Sequence, residues 1–265
     1  MSKEAFLREN SKDGFLSFTQ HQIAARLFDA SYRDIERYAL QLGITPMRYK
    51  RNQSTISPKD QLKLFSSSVA IIGCGGLGGH IAEMLARVGV GHLSIFDFDI
   101  FEEHNLNRQN FSNYENIGRE KVTVVKEALE KINPSTQIDA FVQKFNPTDD
   151  FPMISNADII VDALDNPQTK LELAKICKDN HMGFVHGAIA GMSGQFATNA
   201  TLEHLYPDGS SGAETSVGNP SFCVTFAASI QSAEIVKSIL GIGKNLRDTI
   251  LMTDLLENEF HILPL

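Results

Sequence analysis

The spacing of apolar residues changes near Ser57 and divides the chain into two parts. Before Ser57, apolar positions three or four residues apart predict two amphipathic helices. The first group is Ile23, Leu27 and Phe28, and the second is Ile35, Tyr38, Ala39 and Leu42. Ser57 and Pro58 supply an N-cap and a first-turn proline, so a short helix should begin there and end near Phe65. We therefore predict a helical N-terminal extension and linker over residues 1–56 and one main domain over residues 57–265.

In the main domain, short β-branched apolar runs alternate with helical patterns. Residues 68–72 and 92–96 predict strands, and the helical pattern between them ends at Gly89. The alternation continues with a helix over 118–132, strands over 137–145 and 158–164, and a helix over 167–180. This alternation is typical of an α/β fold, so we predict a Rossmann-like, mostly parallel sheet with helices on both faces.

The pattern changes after Gly183, where consecutive strands are predicted over 184–190 and 195–202. A stretch rich in glycine, serine and proline over 203–220 predicts a mobile loop. A helix over 222–240 and strands over 249–254 and 259–263 complete the pattern. We expect the last strands to form an antiparallel C-terminal extension of the sheet.

Composition narrows the classes of protein to consider. With 265 residues, of which 42% are hydrophobic and 21% charged, the chain can bury a substantial core, and disorder is excluded for most of it. The 24 basic and 32 acidic residues give a net charge of −8, which disfavours nucleic acid as a partner and permits a small anionic ligand. The uncharged stretches are broken by polar residues, glycine or proline, and the first residues show no secretory signal, so we expect no membrane association.

Cysteine and histidine spacing indicates a reducing compartment without structural metal. The three cysteines, Cys74, Cys177 and Cys223, are odd in number and form no Cys-x-x-Cys pair. This favours a cytoplasmic protein without a disulfide framework, and no zinc is expected. His181 and His186 are separated by a predicted helix end and strand, so we expect polar surface rather than a metal pair.

A glycine-rich turn follows the first predicted strand of the main domain. Gly73, Gly75 and Gly78 match the pattern G-x-G-x-x-G, and the following helix would direct unpaired N–H groups at a phosphate. Asp97 ends the second strand, where a carboxylate can accept hydrogen bonds from ribose hydroxyls. These features alone fit an NAD-dependent dehydrogenase equally well.

Charged residues farther along favour a triphosphate instead. Arg108 and Lys121 lie beyond the ribose carboxylate, and their cationic groups suit the negative charge that develops when a triphosphate is cleaved. Asp165 and Asn166 follow the strand at 158–164, where a carboxylate can hold Mg²⁺. Taken singly, Arg108 fits a surface ion pair, Lys121 an exposed helical charge, and Asp165-Asn166 a helix cap.

Six short motifs and their order resemble the ThiF/MoeB/HesA group of ubiquitin-activating-enzyme-like adenylyltransferases. In chain order they are Arg48-Tyr-Lys-Arg51-Asn-Gln, Gly73-Cys-Gly-Gly-Leu-Gly78, Asp97-Phe-Asp, Asn105-Leu-Asn-Arg-Gln109, Gly118-Arg-Glu-Lys121 and Asp165-Asn166. The resemblance runs from about Arg48 to Leu263, which is almost all of the chain except the N-terminal extension. Six ordered motifs are far more specific than the glycine turn alone.

The resemblance implies a homodimer that binds Mg·ATP and adenylylates the C-terminal Gly-Gly carboxylate of a small ubiquitin-like sulfur-carrier protein, releasing pyrophosphate. It implies a nucleotide site in which Gly76 approaches the nucleotide, Asp97 binds ribose, Lys121 contacts phosphates, and Asp165 holds Mg²⁺ with Asn166 beside it. The phosphate site would be lined by Asn105, Arg108 and Gln109. Arg51 would reach the ATP of the partner subunit, so the catalytic candidates are Arg51, Arg108, Lys121 and Asp165.

The chain departs from the resemblance at its cysteines. The two C-terminal Cys-x-x-Cys pairs that bind zinc in MoeB-type members are absent, and residues 203–220 contain no cysteine for a thioester or persulfide. Cys223 lies just past that segment, where a buried helix thiol is favoured over a nucleophile.

Three alternatives remain open at this point. The first is a tRNA-modifying ATP-dependent dehydratase of the same superfamily, which the charge of −8 disfavours. The second is a catalytically silent partner subunit, and the third is a nicotinamide-dependent oxidoreductase. The pathway, whether thiamine or molybdopterin/tungstopterin-type cofactor biosynthesis, also remains open.

Overall fold

The computed structural model describes residues 1–206 and 217–265. The N-terminal extension contains three short helices rather than the two that periodicity predicted, and a small three-stranded sheet of order β1-β2-β3. In chain order the elements are α1 (Lys3–Glu9), β1 (Ser11–Lys12), β2 (Phe15–Leu16), α2 (Phe18–Leu27), α3 (Tyr32–Gln41) and β3 (Thr45–Pro46). Each helix begins after a serine, and that serine's hydroxyl accepts a first-turn N–H.

Helix α2 buries a different face from the one that Ile23 and Leu27 suggested, although Phe28 of the same predicted group packs against the core. Ile23 and Leu27 are 42% and 55% exposed, whereas His21 and Ala24 are buried. The buried face carries His21, whose Nε2 lies 2.8 Å from the carbonyl oxygen of Tyr32, and Ala24, which belongs to the core of the extension. The buried face of α2 is therefore set by its contacts with neighbouring elements and not by the spacing of its own apolar residues.

A buried charged network joins the N-terminal extension to the main domain. The carboxylate of Glu36 pairs with Arg48 and accepts a hydrogen bond of 2.9 Å from the hydroxyl of Tyr49. That hydroxyl in turn accepts one of 2.8 Å from the amide of Asn133 in the main domain. Burial raises the pKa of Tyr49, so its hydroxyl stays protonated and donates to Glu36. This buried polar network therefore links the N-terminal extension to the main domain.

The main domain is built on one eight-stranded sheet of order β11-β10-β9-β8-β7-β4-β5-β6. The remaining strands are β4 (Ser68–Ile72), β5 (His92–Asp97), β6 (Gln137–Val142), β7 (Ile159–Asp162), β8 (Gly183–Ala190), β9 (Ser193–Thr198), β10 (Thr249–Asp254) and β11 (Glu259–Pro264). The pairs from β6 to β8 are parallel, and the pairs from β8 to β11 are antiparallel. The predicted α/β fold with a parallel sheet and an antiparallel extension is confirmed.

Helices cover both faces of this sheet. They are α4 (Pro58–Phe65), α5 (Gly76–Val88), α6 (Lys121–Ile132), α7 (Phe151–Ile154), α8 (Pro167–Asp179) and α9 (Ser221–Leu240). Side chains alternate across β4, so Ile71 packs with Leu85 of α5 on one face, and Ile72 packs with Leu173 of α8 on the other. The connections leave each strand at the same edge, which is where the site forms.

Helix α9 is long and apolar enough to cross a bilayer by length and composition alone. In the folded chain, 56% of that apolar window is buried, and the helix packs against α5 and β8. A core helix passes the same test of length and composition, so the finding carries no membrane assignment.

Several predicted boundaries differ from the structure. Helix α6 starts at Lys121 rather than 118, because Gly118 has a φ of +84° and belongs to the preceding turn. Strand β6 ends at Val142, so residues 143–145 form part of the following loop. Most of the predicted mobile loop over 203–220 lies outside the described residues, since the structure describes none of 207–216.

Candidate active site

A cavity of about 380 Å³ opens at the carboxyl ends of β4, β5, β6 and β7. It brings together most of the residues selected from sequence. Those that line it are Gly73, Gly75, Gly76, Asp97, Asn105, Arg108, Gln109, Lys121, Asp165 and Asn166. Because these residues lie on several separate loops, only the parallel arrangement of the strands places them together.

The glycine turn allows β4, the start of α5 and the end of β7 to lie against one another. Gly73 has a φ of +96°, and a Cβ there would overlap the carbonyl oxygen of Ala163. A Cβ on Gly78 would overlap the carbonyl oxygen of Gly73, so Gly78 supports the turn from below and does not line the cavity. Helix α5 begins at Gly76 without a side-chain cap. Its first N–H groups and the positive end of its dipole are therefore available to an anion.

Asp97 is held by the turn that it faces. Its carboxylate oxygens accept hydrogen bonds of 2.8 Å from the N–H of Cys74 and 2.9 Å from the N–H of Asp99. Burial raises the pKa of Asp97, and these two hydrogen bonds and the Lys121 ammonium oppose that rise. The carboxylate is thus fixed in orientation at the cavity wall, where it can accept hydrogen bonds from ribose.

Lys121 is the first residue of α6 and is only 6% exposed, which excludes the alternative of an exposed helical charge. Its ammonium lies 3.0 Å from a carboxylate oxygen of Asp99. The backbone N–H of Lys121 donates a hydrogen bond, also of 3.0 Å, to the backbone carbonyl of Asp99. Asp99 therefore fixes the direction of the Lys121 side chain. Since Lys121 and Asp99 both line the cavity, the ammonium can contact a phosphate beside this ion pair.

Arg108 has no carboxylate partner in the described part of the chain, so the alternative of a surface ion pair is not observed there. Among the described residues, its guanidinium donates only to its own loop, with bonds of 3.1 Å to the carbonyl of His104 and 2.8 Å to the side chain of Asn107. The neighbouring Gln109 is buried, and its Oε1 has no hydrogen-bond partner in the part of the chain that the structure describes. An uncompensated cation and an unpaired amide beside the glycine turn are groups that a polar ligand would satisfy.

Asp165 and Asn166 have different roles in the turn after β7. The Asn166 side chain caps α8, accepting a 2.9 Å hydrogen bond from the N–H of Thr169. The helix-cap alternative is therefore correct for Asn166. The exposed carboxylate of Asp165 lines the cavity and accepts no hydrogen bond from any described residue.

The donor set fits Mg²⁺ better than zinc. Within residues 1–206 and 217–265, no three histidine, cysteine, aspartate or glutamate side chains cluster closely enough to hold a metal ion. Mg²⁺ does not need such a cluster, because it retains several waters and takes its other ligands from one or two carboxylates and the phosphates. Asp165 could supply that carboxylate to a Mg²⁺ ion bound with a triphosphate.

Arg51 lies apart from these residues. It belongs to a 3-10 helix over Met47–Asn52, its side chain is exposed, and it does not line the cavity of its own chain. Within one chain the structure therefore does not bring Arg51 to the site.

The wall that forms after β6 was not predicted from the sequence. Gln143, Lys144 and Phe145 line the cavity, and Phe145 packs edge-on against Phe96 with ring centroids 5.1 Å apart. Their position after a parallel strand was the available signal, but the predicted strand was drawn through residue 145. Phe145 joins Ile72, Phe96 and Leu164 among the apolar side chains that line the cavity, and such side chains suit a base.

The three cysteines and His186 are buried. Cys74, Cys177 and Cys223 are all free thiols, and burial raises the pKa of each. Cys223 is 2% exposed, as expected for a packed helix thiol. The prediction for His186 was wrong: it is fully buried, and its Nδ1 lies 2.7 Å from Asp162. A carboxylate on the adjacent strand supplies the partner that makes this burial possible.

Comparison with known proteins places the chain among enzymes of one kind. The model of the ThiF family matches residues 49–265. The SAMP-activating enzyme E1 of Haloferax volcanii is 29% identical over 241 residues, covering 85% of this chain and 87% of that protein. The molybdopterin-synthase adenylyltransferase of Haemophilus influenzae is 32% identical over 220 residues, covering 78% and 90%. The sulfur carrier protein adenylyltransferase of Thermus thermophilus is 28% identical over 229 residues, covering 80% and 84%.

Solved structures agree on the fold. The crystal structure of Escherichia coli MccB with ATP has a TM-score of 0.72 and 21% identity, and the match covers 92% of this chain and 82% of that one. At this identity the likeness concerns the fold alone.

Proposed function

The chain belongs to the ThiF family, and from that premise we propose that it transfers AMP from ATP to the C-terminal Gly-Gly carboxylate of a small ubiquitin-like sulfur-carrier protein. Relatives named as adenylyltransferases support the reaction class. Those named for SAMP, molybdopterin synthase and sulfur-carrier proteins support the class of acceptor. The activated carboxylate would then accept sulfur in thiamine or molybdopterin/tungstopterin-type cofactor biosynthesis.

One observation carries the proposal: Arg108, Lys121 and Asp165 line a single cavity together with the glycine turn. The cavity thus combines cationic groups, uncapped N–H groups and a free carboxylate. This combination matches a nucleoside triphosphate with its counter-ion. A nicotinamide dinucleotide would need the glycine turn and Asp97 but would leave Arg108 and Asp165 without a role.

In this reaction, the protein has to align the carrier carboxylate with the α-phosphorus of ATP and stabilise the charge that develops. A carboxylate oxygen of the carrier forms a bond to the α-phosphorus, and the bond from that phosphorus to the bridging oxygen breaks. Pyrophosphate leaves with the electron pair. Because the attacking carboxylate is already ionised, no general base is required. Arg108, Lys121 and the first N–H groups of α5 are the described groups suited to stabilising the added charge.

Mg²⁺ bound at Asp165 would neutralise phosphate charge. The other cavity residues have separate tasks in the proposal. Asp97 orients the ribose, Asn105 and Gln109 line the phosphate site, and the apolar side chains exclude water from the base.

Arg51 acts in our proposal across a homodimer interface, in the ATP site of the partner subunit. Its exposed position outside its own cavity supports this arrangement, because a side chain that is displayed outwards can reach a neighbouring chain. We also propose that the enzyme works in the cytoplasm, which its unpaired cysteines support.

ATP–pyrophosphate exchange with a panel of purified ubiquitin-like carriers ending in Gly-Gly tests reaction and acceptor together. We expect exchange with at least one carrier and none with the same carrier lacking its last glycine. If no carrier supports exchange and the chain binds no ATP, it is a silent partner subunit. If tRNA alone stimulates ATP turnover, with a steep loss at higher salt, the tRNA-modifying alternative is correct.

A further inference from the structure

A buried ion pair lies directly beneath the turn that carries Asp165. Asp162, the last residue of β7, is fully buried, and Lys170 of α8 is 2% exposed. The ammonium of Lys170 lies 3.1 and 3.2 Å from the two carboxylate oxygens of Asp162 and 3.2 Å from the carbonyl of Gly187. His186 donates to the same carboxylate from Nδ1 at 2.7 Å.

The Asp162 carboxylate also holds the backbone of the turn. Its Oδ1 accepts a hydrogen bond of 3.1 Å from the N–H of Leu164, the residue immediately before Asp165. The N–H of Ala163 donates to the carbonyl of Ile72 in β4 at 3.0 Å, and Asn166 caps α8 on the other side of Asp165. Hydrogen bonds therefore fix the residues on both sides of Asp165, whose own carboxylate is left free among the described residues.

Lys170 closes this arrangement into a ring. The chain runs from Asp162 through the turn into α8, and the ion pair returns from Lys170, the fourth residue of that helix, to Asp162. Burial alone would raise the pKa of Asp162, but the Lys170 ammonium and the His186 hydrogen bond hold it below its ordinary value. The carboxylate is therefore ionised, which strengthens its hydrogen bond to Leu164.

Stability does not require an ion pair at this place. Apolar residues of similar volume often replace a buried pair without loss of stability, whereas the pair demands one geometry. From this geometry, and resting on the proposed function, we propose that the Asp162–Lys170 pair is a positioning device that sets the 163–166 turn and aims the Asp165 carboxylate at the magnesium ion of Mg·ATP. Neither Asp162 nor Lys170 lines the cavity, so both act through the turn.

The test compares two neutral double variants in which no lone charge is buried. Asp162→Leu with Lys170→Met removes the acceptor for the N–H of Leu164, whereas Asp162→Asn with Lys170→Met keeps an oxygen there. Calorimetry on the full chain measures the affinity for ATP in Mg²⁺ and in EDTA. We expect the Leu variant to lose about tenfold to a hundredfold in Mg²⁺, as when a supporting partner of a metal ligand is removed, with little change in EDTA. The Asn variant should lose measurably less.

Two single variants control for general damage to α8. Leu173→Ala perturbs the buried face of the helix without touching Asp162, and Lys175→Met removes an exposed ion pair with Asp179. Both should retain the wild-type ratio of affinities in Mg²⁺ and EDTA. The proposal is overturned if the Asp162→Leu/Lys170→Met variant keeps the wild-type ratio, or if Leu173→Ala lowers the ratio equally. If the Asp162→Leu/Lys170→Met variant does not fold, a wild-type ratio in the Asp162→Asn/Lys170→Met variant overturns the proposal. A wild-type chain whose ATP binding is indifferent to Mg²⁺ would instead refute the Mg·ATP site of the proposed function, and the positioning role with it.

Discussion

Replacing Arg108 by alanine tests whether its unpaired guanidinium stabilises charge during adenylyl transfer. Among the described residues, the guanidinium of Arg108 donates only to His104 and Asn107 of its own loop, so its removal leaves no buried charge unpaired. Both bonds are exposed and lie within one loop, so the free energy of unfolding should change little. Loss of one preorganised donor to a developing anion costs about 2.7–4 kcal/mol in activation free energy, which is a rate loss of about 10²–10³.

The assay is ATP–pyrophosphate exchange with a carrier that supports exchange in the wild-type chain, together with thermal unfolding. Arg87→Ala is the matched control, because this variant also removes a guanidinium. Arg87 pairs with Glu83 on α5 and does not line the cavity. Arg108→Lys should recover part of the rate, since a lysine keeps the charge but not the planar fork of donors. Exchange by Arg108→Ala within a few-fold of wild type, with the fold intact, would show that the charge is stabilised elsewhere.

Four further outcomes are expected. Asp165→Ala should abolish the magnesium dependence of ATP binding, and a normal magnesium response would remove Asp165 from the metal site. Burial raises the pKa of Asp97, and only its ionised carboxylate accepts two hydrogen bonds from ribose. As the pH is lowered, the affinity for ATP should therefore begin to fall above the ordinary pKa of aspartate. An affinity that does not change with pH would contradict this. Tyr49→Phe, which takes a hydrogen bond from buried Glu36, should lower stability by about 1–3 kcal/mol in a thermal melt, and an unchanged melt would mean the network is dispensable. Arg51→Ala should be inactive alone but rescued in mixed dimers with an Asp165→Ala chain, whereas absence of rescue would confine Arg51 to its own subunit.

The elements of the main domain could be predicted because their signals are local. The β-branched run before Gly73 and the helical spacing after it identify β4 and α5 without reference to the rest of the chain. The order of the motifs indicated the ThiF family in the same way, and the family match confirms it. Boundaries at Lys121 and Val142 were less accurate, because a turn and a loop can continue the apolar pattern of the element beside them.

Contacts between distant residues were beyond the reach of periodicity. Ile23 and Leu27 have the spacing of a buried helix face, yet they are exposed, because α2 packs on the extension through His21 and Ala24 instead. His186 was expected at the surface, since nothing near it in the sequence shows that Asp162 will lie beside it on the next strand.

The sequence by itself determined the succession of strands and helices, the glycine turn and the identity of the charged residues, because these depend on neighbours within a few positions. Only the tertiary structure decided that the ends of four parallel strands meet at one cavity, that Lys144 and Phe145 belong to it, and that Lys170 reaches back to Asp162. The physical reason is that a side chain's burial and partners are set by which elements pack together, and that packing is a property of the whole chain.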